Sequence, residues 1–540
     1  MALRISDAAR TAALPFNLPV PPREWDQRPA GISLCMIVRN EERFLADALE
    51  SVRGVVDEIN IVDTGSTDAT LEIAARFSAN IEQRTWCDDF SWARNEALAM
   101  ATRRWILVLD ADERLAPQTA QELRALRTVP AHLCGLWVRC RNLVDDFKGT
   151  GAMTNALLRV FPNHPRIRYR NPVHEFACLD GSQHGMDAVP TALEIDHRGY
   201  LSDVVAARNK AARNFDISRR ALETAQDDPY QWFNFASSAV LAEAFDEAIE
   251  ALERVRRMLA GQTRGFKPGA LALLADLYCE QRGDYQRAVA IAHEALVATP
   301  HLANAHFTVG KALARLGRYK EARDAFAAAV ADGEYAGENF VVDDEISAWK
   351  AHSEIGVTFV AEGRYAEALT WFELGLKNRP EAQPLRLNRA RALEQLGRLA
   401  EAEEAFRWAR DHYRDDLSSV DLVNFLLRRG RSGEALSRID EAMQVVSPRT
   451  ATLMLGSGVC VALRAGDEPA ARRYLGRAQE AAALSGAGEV SLAELFVHLG
   501  EHRAIALLDQ HSWARRAVQL PTTSGLALAQ GLLGGTPHTG

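Results

Sequence analysis

A chain of 540 residues is too long for a single hydrophobic core, so its length predicts two or more domains. Its composition, 47% hydrophobic and 25% charged, is that of an ordinary soluble protein and not of a disordered or fibrous one. Because the net charge is −9 and no long basic run occurs, neither a nucleic acid nor an anionic membrane surface is an expected partner.

The cysteines and the apolar runs indicate the compartment. The seven cysteines are odd in number and show no paired metal-binding spacing such as C-x-x-C, which favours a reducing, cytoplasmic location. No apolar run approaches the roughly 18 residues of a membrane helix, and the first residues lack the apolar stretch of a signal peptide. We therefore expect no transmembrane segment.

The chain opens with a proline-rich stretch, residues 1–30, which we interpret as an extended leader because proline disfavours both helices and central strands. After it, the strand-like runs ISLCMIV (32–38) and EINIVD (58–63) are each followed by a helical pattern. This alternation of strands and helices predicts right-handed βαβ crossovers and a parallel sheet.

The strongest strand signal is WILVL (105–109), an apolar run without polar alternation that stops at Asp110 and Asp112. Such a run is typical of a central strand covered on both faces, and ligands of parallel sheets bind at the carboxyl ends of strands. Two carboxylates at that place suit a divalent cation that bridges phosphates. The alternative is an acidic turn that only caps the helix starting near Pro117.

Further strands complete the first domain. The sequence predicts a helix near 117–127 and then short strands joined by polar loops, at 136–144, 157–161, 173–177 and 192–200. Short strands of this kind suit a second subdomain beside the parallel sheet. We place this α/β domain at residues 31–225.

From about residue 230 the strand signals end and a helical repeat begins. Six glycines follow one another at 34, 46, 34, 33 and 36 residues, and each has an alanine five positions later. The glycines are Gly283, Gly317, Gly363, Gly397, Gly430 and Gly466. Segments such as GRYKEAR (317–323) and GRYAEAL (363–369) closely resemble tetratricopeptide repeats, which stack as helical hairpins around a groove.

The repeat pattern also gives boundaries. The step of 46 residues places an insertion around 332–344, and a degenerate unit at 231–260 has Glu243 where the glycine is expected. We assign 230–484 to an all-α solenoid of roughly seven hairpins and 485–540 to a helical cap with a frayed tail.

Four ordered motifs in residues 32–113 are similar to those of family-2 glycosyltransferases, which have the GT-A fold. The motifs are SLCMIVRNEERFL, DEINIVDTGSTDAT, DDFSWARNEAL and WILVLDADE. The resemblance covers roughly the first 200 residues, and it is closest to the branch with lipopolysaccharide-core and peptide glycosyltransferases. It implies an α/β GT-A catalytic domain with a Rossmann-like, mainly parallel sheet.

By this resemblance, Asp63 contacts the nucleobase of a nucleotide-sugar, since a carboxylate can accept a hydrogen bond from a base N–H. The family usually has two acids at this place, and here Thr64 stands second. The alternative is a turn residue beside Gly65.

Arg94, in the motif WARNEAL, corresponds to a nucleotide-contacting arginine of the family. The alternative for Arg94 is a solvated helix residue that faces Asp88 or Asp89.

The acids after the apolar strand correspond to the D-x-D motif. The resemblance assigns Asp112 to a divalent metal, Mn²⁺ or Mg²⁺, and Asp110 to the donor. His197, in EIDHRGY, is similar to the histidine that completes the metal shell in many GT-A enzymes. A purely structural histidine is the alternative.

A base must deprotonate the acceptor as it attacks the anomeric carbon with inversion. The candidate is Glu175, because this branch carries a similar Val-His-Glu, with Asp145 and Asp146 as rivals. A surface histidine–glutamate pair is the alternative for the segment around Glu175.

The sequence therefore predicts an inverting, metal-dependent, hexosyltransferase-like enzyme. We expect a nucleotide-sugar donor, with UDP as the nucleotide, and a protein, peptide, lipopolysaccharide or other cell-envelope acceptor held by the repeat groove. The absence of a Q-x-x-R-W motif argues against a processive synthase and for transfer of one sugar.

One alternative is a non-catalytic tetratricopeptide scaffold with a degenerate GT-A domain. Another, a nucleotidyltransferase, needs a glycine-rich loop with lysine that VRNEERF (38–44) does not provide. The sugar and the oligomeric state stay open.

Overall fold

The structure is a computed structural model that describes residues 28–129, 134–142, 153–179, 186, 188–197, 204–332, 341–343, 345–485, 492, 495, 496, 504 and 507. The described residues fall into two compact units that divide between Thr358 and Phe359. Most of the predicted leader and of the predicted cap and tail lies outside the described residues. The domain limits drawn from the sequence stay predictions.

The first unit begins with a sheet whose first four strands are parallel, in the order β3-β2-β1-β4. Helices connect these strands, as the alternating pattern predicted. The elements are β1 (Ile32–Val38), α1 (Leu45–Ser51), β2 (Glu58–Asp63), α2 (Thr70–Arg76), β3 (Asn80–Gln83), α3 (Phe90–Met100) and β4 (Trp105–Val108).

Side chains of the central strands alternate between two cores, one on each face of the sheet. In β4, Trp105 and Leu107 pack into the core that also contains Leu45 of α1. Ile106 and Val108 pack into the core on the other face, together with residues of α3. The unbroken apolar run is thus buried because both faces of the strand are covered.

The sheet continues beyond β4 in the order β4-β7-β6-β10-β5, in which β6 and β10 are parallel and the other neighbours are antiparallel. A separate hairpin, β8 with β9, lies outside this sheet. The elements are β5 (Glu113–Leu115), α4 (Pro117–Leu126), β6 (Gly135–Asn142), β7 (Met153–Pro162), β8 (Ile167–Arg170), β9 (Phe176–Leu179) and β10 (Ala188–His197). The pairing of β10 sets His197 opposite Glu113 on β5 and opposite Asn142 on β6.

The chain then continues mainly as helices. They are α5 (Val204–Thr224), α6 (Pro229–Leu241), α7 (Phe245–Met258), α8 (Lys267–Leu277), α9 (Tyr285–Ala298), α10 (Ala303–Arg315), α11 (Tyr319–Ala331), α12 (Ala351–Ala361), α13 (Tyr365–Asn378), α14 (Gln383–Gln395), α15 (Leu399–Tyr413), α16 (Asp416–Arg428), α17 (Ser432–Ala442), α18 (Pro448–Arg464) and α19 (Glu468–Ser485). Two π-helical turns, Tyr278–Arg282 and Ile346–Lys350, interrupt this pattern. Within the predicted insertion, β11 (Val341–Asp343) adds an antiparallel strand to β7.

The repeat pattern has a direct physical cause. All six glycines have positive φ, between 62° and 78°, where each hairpin turns. The alanines five positions later are all 0% exposed, because the paired helices approach too closely for a larger side chain. Glu243, the residue in the degenerate unit, adopts the same left-handed conformation with φ of 60°. The predicted class, an α/β sheet followed by an all-α region, is confirmed.

Candidate active site

Four of the residues that the sequence singled out lie near one edge of the sheet. β2 ends at Asp63, β4 is followed by Asp110 and Asp112, and α3 carries Arg94 on its buried side. Because β1 pairs in parallel with both β2 and β4, the carboxyl ends of these strands meet at the same edge. The structure therefore brings the predicted donor and metal residues together.

Asp63 lines a pocket of about 600 Å³ whose wall also contains Arg84 and Trp86. Its Oδ1 accepts hydrogen bonds from the backbone N–H groups of Gly65 (3.0 Å) and Ser66 (3.1 Å). The turn role that the sequence left open is thus present, and it fixes the carboxylate beside the pocket. Contact with a nucleobase stays a prediction.

Arg94 is the centre of a buried ionic network. Its Nε donates to Oε1 of Glu175 at 2.6 Å, and its Nη2 donates to Oδ1 of Asp110 at 2.8 Å. Because the arginine side chain is only 8% exposed, the alternative of a solvated helix residue is wrong. Asp89 instead caps α3 by accepting a hydrogen bond from the backbone N–H of Trp92.

Arg159 on β7 is a second buried arginine, which the sequence analysis missed. It donates to Oδ2 of Asp110 at 2.7 Å and also contacts Glu113. Burial acts to raise the pKa of Asp110, but the charges of Arg159 and Arg94 outweigh it and hold that pKa well below its usual range. A single arginine in the apolar strand LLRVF was the available signal, since a buried charge needs a partner.

Glu113 is a further acid of this network and contacts Arg159. Its side chain is 2% exposed, and its Oε2 accepts a hydrogen bond from the backbone N–H of Asp110 at 2.9 Å. Burial raises the pKa of Glu113 against the opposing charge of Arg159. Within the described residues, Nη1 of Arg94 and Nε of Arg159 are buried donors without a hydrogen-bond partner.

Asp112 and His197 are neighbours, with 3.3 Å between Oδ2 and Nε2. The other ring nitrogen, Nδ1, lies 2.8 Å from Oδ1 of Asn142. If Nδ1 donates its proton to this amide oxygen, the lone pair of Nε2 points toward Asp112, which is how metal-binding histidines are oriented. Burial lowers the pKa of His197, but the hydrogen bond and charge of Asp112 outweigh it and raise that pKa.

These two side chains fit a metal that takes its other ligands from a diphosphate and water. Among the described residues no group of three or more His, Cys, Asp and Glu side chains is placed to hold a metal ion.

Glu175 lies directly before β9 and contacts Arg94 through one oxygen. Its side chain is 15% exposed, so the alternative of a surface pair with His174 does not apply. Its rivals, Asp145 and Asp146, lie outside the described residues. The catalytic assignment of Glu175 stays a prediction.

Glu41 is another group that the sequence analysis did not single out. Burial, aided by the negative charge of Asp112, raises the pKa of Glu41 to about 7. Its backbone N–H donates to Oγ1 of Thr70 at 2.7 Å, which fixes the start of the segment after β1. The motif RNEE directly after the first strand was the signal in the sequence.

Comparison with protein families matches both parts of the chain. Residues 33–175 match the model described as glycosyl transferase family 2. Residues 273–338, 354–416 and 387–447 match a tetratricopeptide repeat model. The predicted resemblance is confirmed by these matches.

Similar proteins agree with this division. A TPR repeat-containing protein of Synechococcus elongatus is 39% identical over 204 residues, which are 36% of this chain and 48% of that protein. The prophage-derived glycosyltransferase SunS of Bacillus subtilis is 24% identical over 225 residues, 41% of this chain and 52% of that protein. The chain thus spans about half the length of these relatives.

Among solved structures, a tetratricopeptide repeat protein from Parabacteroides merdae is similar with a TM-score of 0.36 and 15% identity, over 47% of this chain and 93% of that one. In the part of the chain that the structure describes, no helix is long and apolar enough to cross a membrane. Residues 33–175 thus match a family-2 glycosyltransferase domain, and tetratricopeptide repeats follow this domain within residues 273–447.

Proposed function

We propose that the protein is an inverting, metal-dependent glycosyltransferase that moves one hexose from a UDP-sugar to an acceptor held by its repeats. The observation that carries this proposal is the ionic network at one sheet edge, in which Arg94 joins Asp110 to Glu175 beside the Asp112–His197 pair. A degenerate domain would have no reason to keep several buried charges paired, because burying them is costly.

The residues have distinct tasks in this proposal. Asp112 and His197 would hold Mn²⁺ or Mg²⁺, which when bound supplies the positive charge that stabilises the leaving diphosphate. Asp110, kept ionised by two arginines, accepts hydrogen bonds from hydroxyl groups of the donor. Arg94 and Arg159 hold the Asp110 carboxylate in place through their hydrogen bonds to its two oxygens.

Glu175 acts as the general base. Its Oε1 accepts a hydrogen bond from Arg94, so Oε2 is left to take the proton of the acceptor's nucleophile. The acceptor then attacks the anomeric carbon while the bond to the diphosphate breaks, which inverts the configuration at that carbon.

The acceptor and the location complete the proposal. A tetratricopeptide groove suits an extended peptide or protein segment, and a cell-envelope glycan is the alternative acceptor. We propose a cytoplasmic location because the seven cysteines are odd in number and show no paired metal-binding spacing.

A thermal-shift screen tests the function. The panel contains UDP-glucose, UDP-galactose and UDP-N-acetylglucosamine, the corresponding GDP-sugars, and UDP and GDP alone, each with and without Mn²⁺. We expect at least one UDP-sugar to raise the melting temperature only in the presence of Mn²⁺. A protein that no nucleotide stabilises would support the scaffold alternative.

A further inference from the structure

The segment that carries Glu175 has an unusual backbone. Asn171 has φ of 76° and His174 has φ of 53°, so two residues other than glycine adopt the left-handed region within four positions. This conformation is uncommon for residues other than glycine, although asparagine and histidine adopt it more readily than most. Contacts from outside the segment help to hold residues 171–175 in place.

Helix α6, the first helix of the degenerate repeat unit, supplies a contact to each strained residue. Oγ of Ser238 lies 2.8 Å from Nε2 of His174. Nε2 of Gln231 donates to Oδ1 of Asn171 at 2.6 Å. Since Gln231 and Ser238 are seven residues apart, they lie on the same face of the helix two turns apart.

Helix α6 also packs against the start of β9 through Tyr230. The rings of Tyr230 and Phe176 meet edge to face, with 5.5 Å between their centroids. The carbonyl oxygen of Pro172 accepts a hydrogen bond from the backbone N–H of Phe90, the first residue of α3. The segment is thus fixed between α3, which carries Arg94, and a helix of the repeat region.

We propose that Ser238 and Gln231 are positioning residues of the active site, which hold the turn at 171–175 so that Glu175 reaches both Arg94 and the acceptor. This inference rests on the proposed function, in which Glu175 is the base. The repeat region then has a second task besides recruiting an acceptor, because its first helix completes the catalytic domain.

Two adjacent serines allow a matched kinetic test. Ser238→Ala removes the hydroxyl that contacts His174, whereas Ser237→Ala removes one that only bonds within the helix, to the carbonyl oxygen of Phe233. With the UDP-sugar of the panel that is hydrolysed fastest, we expect Ser238→Ala to lower kcat about tenfold, because small misplacements of a catalytic group are costly. The KM for the donor should change less than about twofold, and Ser237→Ala should leave both constants unchanged.

A double mutant separates positioning from general destabilisation. If Ser238 acts through Glu175, Ser238→Ala should have no further effect on kcat in a Glu175→Gln background. An equal tenfold loss in both backgrounds would overturn the proposal.

Hydrogen exchange tests the same contact without any enzymatic activity. We expect the backbone amides of residues 173–176 to exchange at least about tenfold faster in Ser238→Ala than in Ser237→Ala, with the amides of β1 and β4 unchanged. Unchanged exchange would contradict the positioning role. Absence of hydrolysis by the wild-type protein, together with faster exchange in Ser238→Ala, would instead refute the proposed function and leave the contact established.

Discussion

The arginine pairs at the sheet edge differ from a set of arginine pairs that recurs in the repeats. In the repeats, Arg318, Arg364 and Arg398 each pair with a glutamate three residues later on an exposed helix start. At the sheet edge, Arg94 and Arg159 are buried and pair with acids that are 16 to 81 residues away in sequence. Exposed local pairs contribute little to stability, whereas breaking a buried pair leaves a charge without compensation.

The placement of the charged pairs therefore indicates which region can carry a function. The exposed pairs recur with the repeat and can be replaced one at a time. Burying the charges of the network around Arg94 and Arg159 costs free energy, and the network lies at the sheet edge where a ligand would bind. The following changes test whether the two regions differ as this comparison implies.

The largest effect is expected for Arg94→Ala. This change leaves Asp110 and Glu175 without their shared partner, so we expect donor hydrolysis to fall at least about a thousandfold. The free energy of unfolding should fall by about 3–5 kcal/mol.

Arg318→Ala, which removes an exposed pair in the repeats, is the matched control. It should change the free energy of unfolding only slightly, because exposed pairs contribute little, and leave hydrolysis unchanged. Chemical denaturation and a nucleoside diphosphate release assay measure both quantities. Equal effects of the two changes would remove the distinction between the regions.

An intermediate effect is expected for Ala402→Leu in the repeats. Ala402 is 0% exposed between paired helices, so the larger side chain should lower the free energy of unfolding by about 1–3 kcal/mol. Donor hydrolysis at a temperature below the transition should stay at the wild-type rate. A large loss of hydrolysis in the folded variant would show that the sheet edge depends on this part of the repeats.

The smallest effect is expected for His197→Asn. If His197 is a metal ligand, Mn²⁺ should bind more weakly to the variant, and the ratio of Mn²⁺-supported to Mg²⁺-supported hydrolysis should fall by several-fold, because Mg²⁺ prefers oxygen ligands. A structural histidine predicts instead a lower melting temperature and an unchanged ratio. Isothermal titration with Mn²⁺ and a melting curve distinguish the two.

Metal binding should also depend on pH. The pKa of His197 is raised, so below that pKa the ring holds a proton that a metal must displace. Mn²⁺ affinity of the wild-type protein should therefore increase as pH rises through this pKa, and the dependence should be weaker in His197→Asn, where only the titration of Glu41 near Asp112 remains. Titrations at pH 6 and pH 8 measure the difference.

The parts of the fold that follow from local spacing could be predicted. The run WILVL indicated a central strand because both faces of the sheet are covered, and the glycine–alanine pattern indicated hairpins because turns and close helix contacts recur. The placement of Asp110 and Asp112 at the sheet edge followed from the same strand.

The contacts that organise the site could not be predicted in the same way. Arg159 meets Asp110 only because β7 runs antiparallel beside β4, which no local pattern indicates. Ser238 meets His174 across 64 residues of sequence, and a degenerate repeat gave no reason to expect a role in the site. The pairing of buried charges that are far apart in sequence depends on the order of the strands in the sheet. The hydrophobic periodicity of a sequence does not determine that order.

The most direct test of the central claim is the release of nucleoside diphosphate from a UDP-sugar by wild-type protein and by Asp112→Ala, each with and without Mn²⁺. We expect Mn²⁺-dependent release by the wild-type protein and at least about a thousandfold less by Asp112→Ala, at a similar melting temperature because the acid lies at a sheet edge and not in the core. Turnover by Asp112→Ala at the wild-type rate, in a protein of wild-type melting temperature, would contradict a catalytic metal site at this edge.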